Sequence, residues 1–202
     1  IDEMSPKDKF GKIFTNETKF HSQSVGKSLA SYILGHAICK GYVGNIDAQI
    51  NDWPLIQNSI YHNQKIIDLI NMAAGDQAYF SSKNPSNRYK TGRSVSNTTI
   101  KKAMENEFKE IKKSKRKYAY NNFPPPLIMN YIIFKIGEEK YQELLDDIFR
   151  KKVGIEHGMF FVEPETSEPG DRSTHSTFLA TRYDYLRMSK AMLDDWQNDT
   201  CE

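Results

Sequence analysis

Apolar residues recur at helical spacing in several separate blocks of this chain, with polar, turn-rich stretches between them. After Ser24, the residues Leu29, Tyr32, Ile33, Leu34, Ala37, Ile38 and Cys39 put apolar groups nearly all around a helix that Gly41 and Gly44 terminate. A helix apolar on most faces belongs in a domain interior, so the spacing predicts a buried helix from about Ser24 to Tyr42. Lys65 to Met72 reads as a short helix stopped by Gly75, and Ile100, Met104, Phe108 and Ile111 form one apolar stripe on a charged segment that starts at Thr98. Beyond Pro124-Pro125-Pro126, two helices are predicted, around Leu127 to Ile136 and Glu139 to Lys151, with Gly154 past the end. Thr181 followed by Asp184 has the spacing of a capping pair and opens a last helix through Leu186, Met192 and Leu193.

Strand signals are few. Residues 1–20 are polar and irregular, with a short strand predicted around Lys12-Ile13-Phe14, and Asn45 to Pro54 is a turn-rich connection. Residues 76–97 and 164–176 read as loops, the first of a length that is usually functional or disordered. There are no internal repeats, and the expected class is mainly α.

Composition narrows the picture only a little. At 202 residues, 38% hydrophobic and 27% charged, the chain can bury a real core. A formal charge of +2 argues against a dedicated nucleic-acid binder. The positive run from Lys112 to Lys117 reads as a solvated helix end, because no stacking aromatic is interleaved before Tyr118. No apolar run approaches a membrane span, and no signal-peptide pattern opens the sequence, so periplasm and cytoplasm both stay open. With Cys39 in the buried helix and Cys201 next to last, the two cysteines give no disulfide framework.

Candidate chemistry begins at Ser24-Val25-Gly26-Lys27. Residues three apart share a helix face, so the Lys27 amine can lie beside the Ser24 hydroxyl. A serine hydroxyl is a poor nucleophile near neutral pH, and an adjacent amine held partly neutral can take its proton. The unsatisfied N–H groups and positive dipole end of a helix start favour the oxyanion that forms on attack. A second S-x-x-K at Ser114 to Lys117 has no apolar helix behind it and reads as surface. His36 is expected to hydrogen-bond a neighbour within the buried helix, with no second ligand at metal spacing. His21 either lines the cleft or makes a local backbone contact. Asp146-Asp147 and Asp194-Asp195 are expected on exposed helix faces.

The ordered set of motifs resembles the serine β-lactamase and penicillin-binding-protein family, nearest its class C, esterase and 6-aminohexanoate-dimer hydrolase branch. Phe20 to Gly44 resembles the nucleophile segment, and Ile67 to Gly75 the "LLtMtSG" segment. Tyr120-Asn121-Asn122 with the apolar residues after it resembles the Y-x-N motif and its helix. Lys152 to Ile155 and Ala180 to Leu186 complete the series, so the likeness spans roughly Phe20 to Asp194. It implies the helical part of an α/β β-lactamase/transpeptidase-like fold, with most sheet strands missing, as a single partial domain over residues 1–202. Its catalytic helix would cover about residues 24–42, and a mostly helical region residues 43–196.

The resemblance implies that Ser24 is the acylated nucleophile, Lys27 its proton partner, Tyr120 a general acid/base and Asn122 a polar group that holds Lys27 or the substrate. These side chains are expected to converge in one cleft. Tyr118 offers a rival register, but no Asn stands two residues after it. The implied activity is hydrolysis of an ester or amide through an acyl-enzyme, without a cofactor or metal, on a small molecule or peptide. The family's K-T-G or H-x-G strand has no counterpart after the region of Thr181 to Leu193. Lys90-Thr91-Gly92 falls before Tyr120, and His157-Gly158 follows Gly154-Ile155, where the family has a connection between helices. A chain truncated at both ends is therefore expected, with weak catalysis or none, since a missing oxyanion donor costs ~3–4 kcal/mol. A catalytically inactive module binding peptide or glycan is the alternative from another class, and a helical interaction domain with a coincidental S-x-x-K is a third.

Overall fold

The computed structural model describes residues 14–76, 99–106, 108, 115–157, 160–162 and 177–198. In chain order the elements are β1 (Lys19–His21), α1 (Gly26–Cys39), β2 (Gln49–Ile50), β3 (Gln64–Lys65), α2 (Ile66–Ile70) and α3 (Ile100–Asn106). Then follow α4 (Pro124–Leu145), β4 (Phe160–Val162), β5 (Thr177–Thr181) and α5 (Arg182–Asn198). The fold is mainly helical. Among the described residues two small antiparallel sheets accompany the helices, one in the order β1-β5-β4 and one pairing β2 with β3.

Helix α1 buries Leu29, Ala30, Ile33, Leu34, His36 and Ala37, and it packs most extensively on α4. It starts later than its apolar pattern suggests, because Gln23–Val25 forms a 3-10 turn that contains Ser24. The cause lies just upstream. Ser22 is fixed to β5, its N–H donating to the Phe178 carbonyl at 2.8 Å and its Oγ accepting from the Phe178 N–H at 3.3 Å. The chain must turn from strand to helix within a few residues, and Gln23 takes a left-handed φ of 48° to do so. At the other end the Gly41 N–H bonds the Ile38 carbonyl and the Tyr42 N–H bonds the Ala37 carbonyl, both at 2.9 Å. This pair of bonds caps the last turn.

Helix α4 begins at Pro124 itself, not after the proline run. Prolines suit a first helical turn, whose N–H groups have no partner inside the helix. The two predicted helices of this region are one element broken at Gly137, where φ 81° and ψ 164° leave helical space. Only glycine takes that conformation at low cost. A π-helical stretch, Asp146–Lys152, follows α4 directly. Inside the core, Tyr61, Phe108 and Phe123 form an aromatic cluster with ring centroids 4.6–5.3 Å apart. Helix α5 opens as the sequence implies, the Thr181 hydroxyl donating to Asp184 Oδ2 at 2.8 Å and accepting from the Asp184 N–H at 3.1 Å.

Several expectations are corrected. Asp195 does not stand on a free face: it accepts from the Tyr32 hydroxyl at 2.6 Å and pairs with Lys152 at 2.8 Å, joining α5 to α1 and the π-helical stretch. His36 lies 3.8 Å from the same carboxylate and edge-on to Tyr32; burial, then Lys152, lowers its proton affinity despite Asp195. Asp147 pairs with Lys40 and Lys151. Cys39 is exposed at the end of α1, because the helix turns this position away from the core. Residues 115–117 are not helical, and Arg116 reaches back to form an ion pair with the buried Asp68. The strand predicted at Lys12-Ile13-Phe14 falls mostly outside the described residues, and Phe14 is not in a strand; among the described residues the first strand begins at Lys19. The connection from Asn45 to Pro54 contains β2. The loops at 77–97 and 164–176, and the letters Lys90-Thr91-Gly92, lie outside the described residues.

No helix among the described residues is long and apolar enough to cross a membrane. Backbone conformation gives a paired test of the fold. Gly137→Ala should destabilise the protein by ~1–3 kcal/mol, the cost of a non-glycine residue in that region. Gly35→Ala should stabilise it by ~0.5–1 kcal/mol, since a Cβ on this helical glycine meets nothing within 4 Å. Denaturant midpoints of the two variants should move in opposite directions.

Candidate active site

The N-terminal ends of α1 and α4 approach one another and bring together side chains 96 residues apart. The Ser24 Oγ lies 2.7 Å from the Tyr120 hydroxyl, and the Lys27 Nζ donates to the same Ser24 Oγ at 3.4 Å. The ammonium also sits 4.8 Å from the centre of the Tyr120 ring. Lys27, then the Ser24 hydroxyl, holds the Tyr120 phenol below its ordinary proton affinity, because both favour the phenolate. The phenolate favoured in this way can accept the serine proton, and the Lys27 amine beside it steadies the phenolate's negative charge. Tyr120 is 52% exposed, so a substrate can reach the Ser24 hydroxyl from solvent.

Tyr120 is held by its chain neighbours. The Ala119 N–H donates to the Met72 carbonyl at 2.8 Å, which ties this segment to the turn after α2. Asn121 is buried; its Nδ2 donates to the Ala119 carbonyl at 2.9 Å and to Asp76 Oδ2 at 3.3 Å, while its Oδ1 accepts from the Phe123 N–H at 3.0 Å. The same Asp76 oxygen accepts from the Tyr61 hydroxyl at 3.0 Å. Asp76 is 1% exposed, and its other oxygen has no hydrogen-bond partner among the described residues. Burial pushes its carboxyl up against the smaller opposing pull of Tyr61, its own backbone and Asn121.

No family model matches the sequence, and no match was found among curated proteins.

Three of the sequence-derived residues, Ser24, Lys27 and Tyr120, thus meet at one point. Asn122 does not join them: it is exposed and makes no hydrogen bond with Lys27 among the described residues, because the network turns Asn121 inward and its neighbour outward. Tyr118 is 63% exposed and has no bond to Ser24. His21 pairs through its backbone position in β1 with Leu179. Among the described residues no cluster of three or more His, Cys, Asp or Glu could hold a metal ion.

Sequence reasoning missed Asn121 and Asp76. The Tyr-Asn-Asn triplet contained the first, and Gly75-Asp76 after an apolar run contained the second, but neither spacing says which amide faces inward. Gly26 was also passed over. A Cβ there would come within 2.7 Å of the Ser22 Oγ and 3.2 Å of the Phe178 ring, so only glycine lets α1 start this close to β5. A cavity of about 170 Å³ opens beside Lys27, walled by α1, α2, Met72 and the start of α4.

Two titrations test this geometry. Tyr120 should ionise at lower pH than Tyr32, Tyr131 and Tyr185, which are all shifted upward by burial. In a difference titration against Tyr120→Phe, the step that this substitution removes should move to higher pH in Lys27→Met. Asp76 has its folded proton affinity raised, so its contribution to stability is full below the unfolded value of 3.8 and is lost as pH rises through the folded value. Asp76→Asn should flatten the fall in stability just above that pH, measured by denaturant unfolding.

Proposed function

We propose that this chain is a serine hydrolase related to the β-lactamase and penicillin-binding-protein family, acting on an ester or amide through an acyl-enzyme at Ser24. The observation that carries the reading is the Ser24 hydroxyl bracketed by the Tyr120 hydroxyl at 2.7 Å and the Lys27 amine at 3.4 Å. A coincidental S-x-x-K gives no reason for a tyrosine so remote in sequence to reach that hydroxyl. The mainly helical fold built around α1 accords with the helical part of such a hydrolase.

In this reading Tyr120 takes the Ser24 proton as Oγ attacks the carbonyl carbon, and it returns that proton to the departing alcohol or amine. Lys27 favours the phenolate during the first step and keeps the hydroxyl aligned. Water then attacks the acyl-enzyme, Tyr120 accepting its proton, and the acid is released with Ser24 restored. In this reading Asn122, which is exposed, contacts the bound substrate.

Activated-ester hydrolysis by the complete protein tests the reading. An acyl group should be trapped on Ser24, and Ser24→Ala should abolish both trapping and turnover. Lys27→Ala and Tyr120→Phe should each lower kcat by ~10² or more, the scale for losing a positioned acid/base group. Turnover that survives Ser24→Ala would overturn the assignment. A protein that binds peptide or glycan yet never acylates would be the inactive binding module instead.

A further inference from the structure

We propose that Asn121, anchored by Asp76 and Tyr61, is a positioning residue for the proton transfer at Ser24: its side chain brackets Tyr120 and aims the phenol at the serine hydroxyl. The proposal rests on the reading of Ser24 as nucleophile and Tyr120 as its acid/base, and it adds what holds the acid/base in place.

Local structure creates the need for a bracket. Residues 117–121 lie in no helix or strand, so the periodic bonds of a regular element do not fix the direction in which Tyr120 leaves the chain. About half of Tyr120 is in solvent, which leaves its ring only partly packed. The aim of the hydroxyl therefore follows the backbone on either side of it.

Asn121 grips that backbone on both sides at once. Its Nδ2 donates to the carbonyl of Ala119, the residue before Tyr120, at 2.9 Å, and its Oδ1 accepts from the Phe123 N–H at 3.0 Å. The second hydrogen of the amide goes to Asp76 Oδ2 at 3.3 Å. Two donors and an acceptor in one plane are what a side-chain amide offers, and a carboxylate or an apolar group of the same size cannot supply them.

Behind the amide stands the core. Asp76 Oδ2 also accepts from the Tyr61 hydroxyl at 3.0 Å, and Tyr61 is fully buried with its ring 5.0 Å from that of Phe108 and 5.3 Å from that of Phe123. Phe123 supplies the N–H that the amide receives, so both ends of the bracket are tied to one close-packed aromatic cluster. From that cluster the contacts run through Asp76 to Asn121, and they end at the peptides that flank Tyr120. Beyond them is a 2.7 Å contact between two hydroxyls, the distance across which the proton moves. A misplacement of ~1 Å at such a contact can lower a rate ~10²-fold.

The test uses the complete protein, with p-nitrophenyl acetate for turnover and a difference titration against Tyr120→Phe for the phenol. Asn121→Ala should lower kcat ~10²-fold with KM changed less than about threefold, the split expected when a reacting group is misplaced and binding is kept. It should also move the Tyr120 step to higher pH, as the phenol withdraws from the Lys27 amine. This substitution adds no charge, so the movement reports placement. Asp76→Ala should act in the same direction, and Asp76→Asn, which keeps an acceptor oxygen for both donors, should restore most of kcat. Tyr61→Phe removes one hydroxyl and keeps the ring in the cluster; it should lower kcat about threefold to tenfold, the scale of one hydrogen bond. A folded Asn121→Ala with kcat and the Tyr120 step unmoved would overturn the proposal, and so would equal losses in Asp76→Ala and Asp76→Asn. Should Asn121→Ala not fold, Tyr61→Phe decides, and an unmoved kcat and phenol step in that variant would overturn it. A Tyr120 step that moves as expected in a protein that no ester acylates would support the bracket and sink the hydrolase reading.

Discussion

The packing of α1 against α4 sets where both halves of the candidate site stand. Ile33, Leu34 and Ala37 on α1 and Leu127 and Ile132 on α4 are each at most 1% exposed. Side chains this enclosed interdigitate at close to crystal density, so sliding either helix would forfeit many small dispersion contacts together. Ser24 lies just before α1 and Tyr120 just before α4, and the helix contact is transmitted to their hydroxyls. The aromatic cluster of Tyr61, Phe108 and Phe123 braces the same corner, with Phe123 directly preceding the first proline of α4.

A polar layer refines what the apolar core sets. Asp76 is buried, and one of its oxygens accepts from both Tyr61 and Asn121. It thereby locks Asn121, and through Asn121 the two residues on either side. The backbone is unusual in the same region: Gln23 and Met72 have φ of 48° and 50°, left-handed values that non-glycine residues adopt at a cost. Gln23 directly precedes Ser24, and the Met72 carbonyl receives the Ala119 N–H. Left-handed backbone thus adjoins the Ser24 and Ala119 segments, and Asn63, with a φ of 58°, has it elsewhere.

How much was legible in the sequence can be judged residue by residue. The buried helix after Ser24, the break near Gly137, the capping pair of Thr181 and Asp184 and the shared face of Ser24 and Lys27 all follow from local spacing, and the structure has them. Asp195 was misread because its i, i+4 neighbours along α5 suggest solvent, whereas its partners Tyr32 and Lys152 come from distant segments. Cys39 was misplaced because a helix apolar on most sides gives little warning of which position turns outward. Arg116 read as one charge in a basic run until the fold brought the buried Asp68 beside it.

The sequence by itself determined what is local: which stretches are helical, where glycine and proline stop or start them, and that a serine and a lysine lie one turn apart. These are set by backbone sterics and a 3.6-residue period, which act within a few neighbouring residues. The tertiary structure alone decided that Tyr120 rather than Tyr118 meets Ser24, that Asn121 rather than Asn122 turns inward, and that a cavity lies beside Lys27. Each of those depends on contacts between segments far apart in the chain. No local pattern encodes the relative placement of two helices whose burial, and nothing nearer, holds them together.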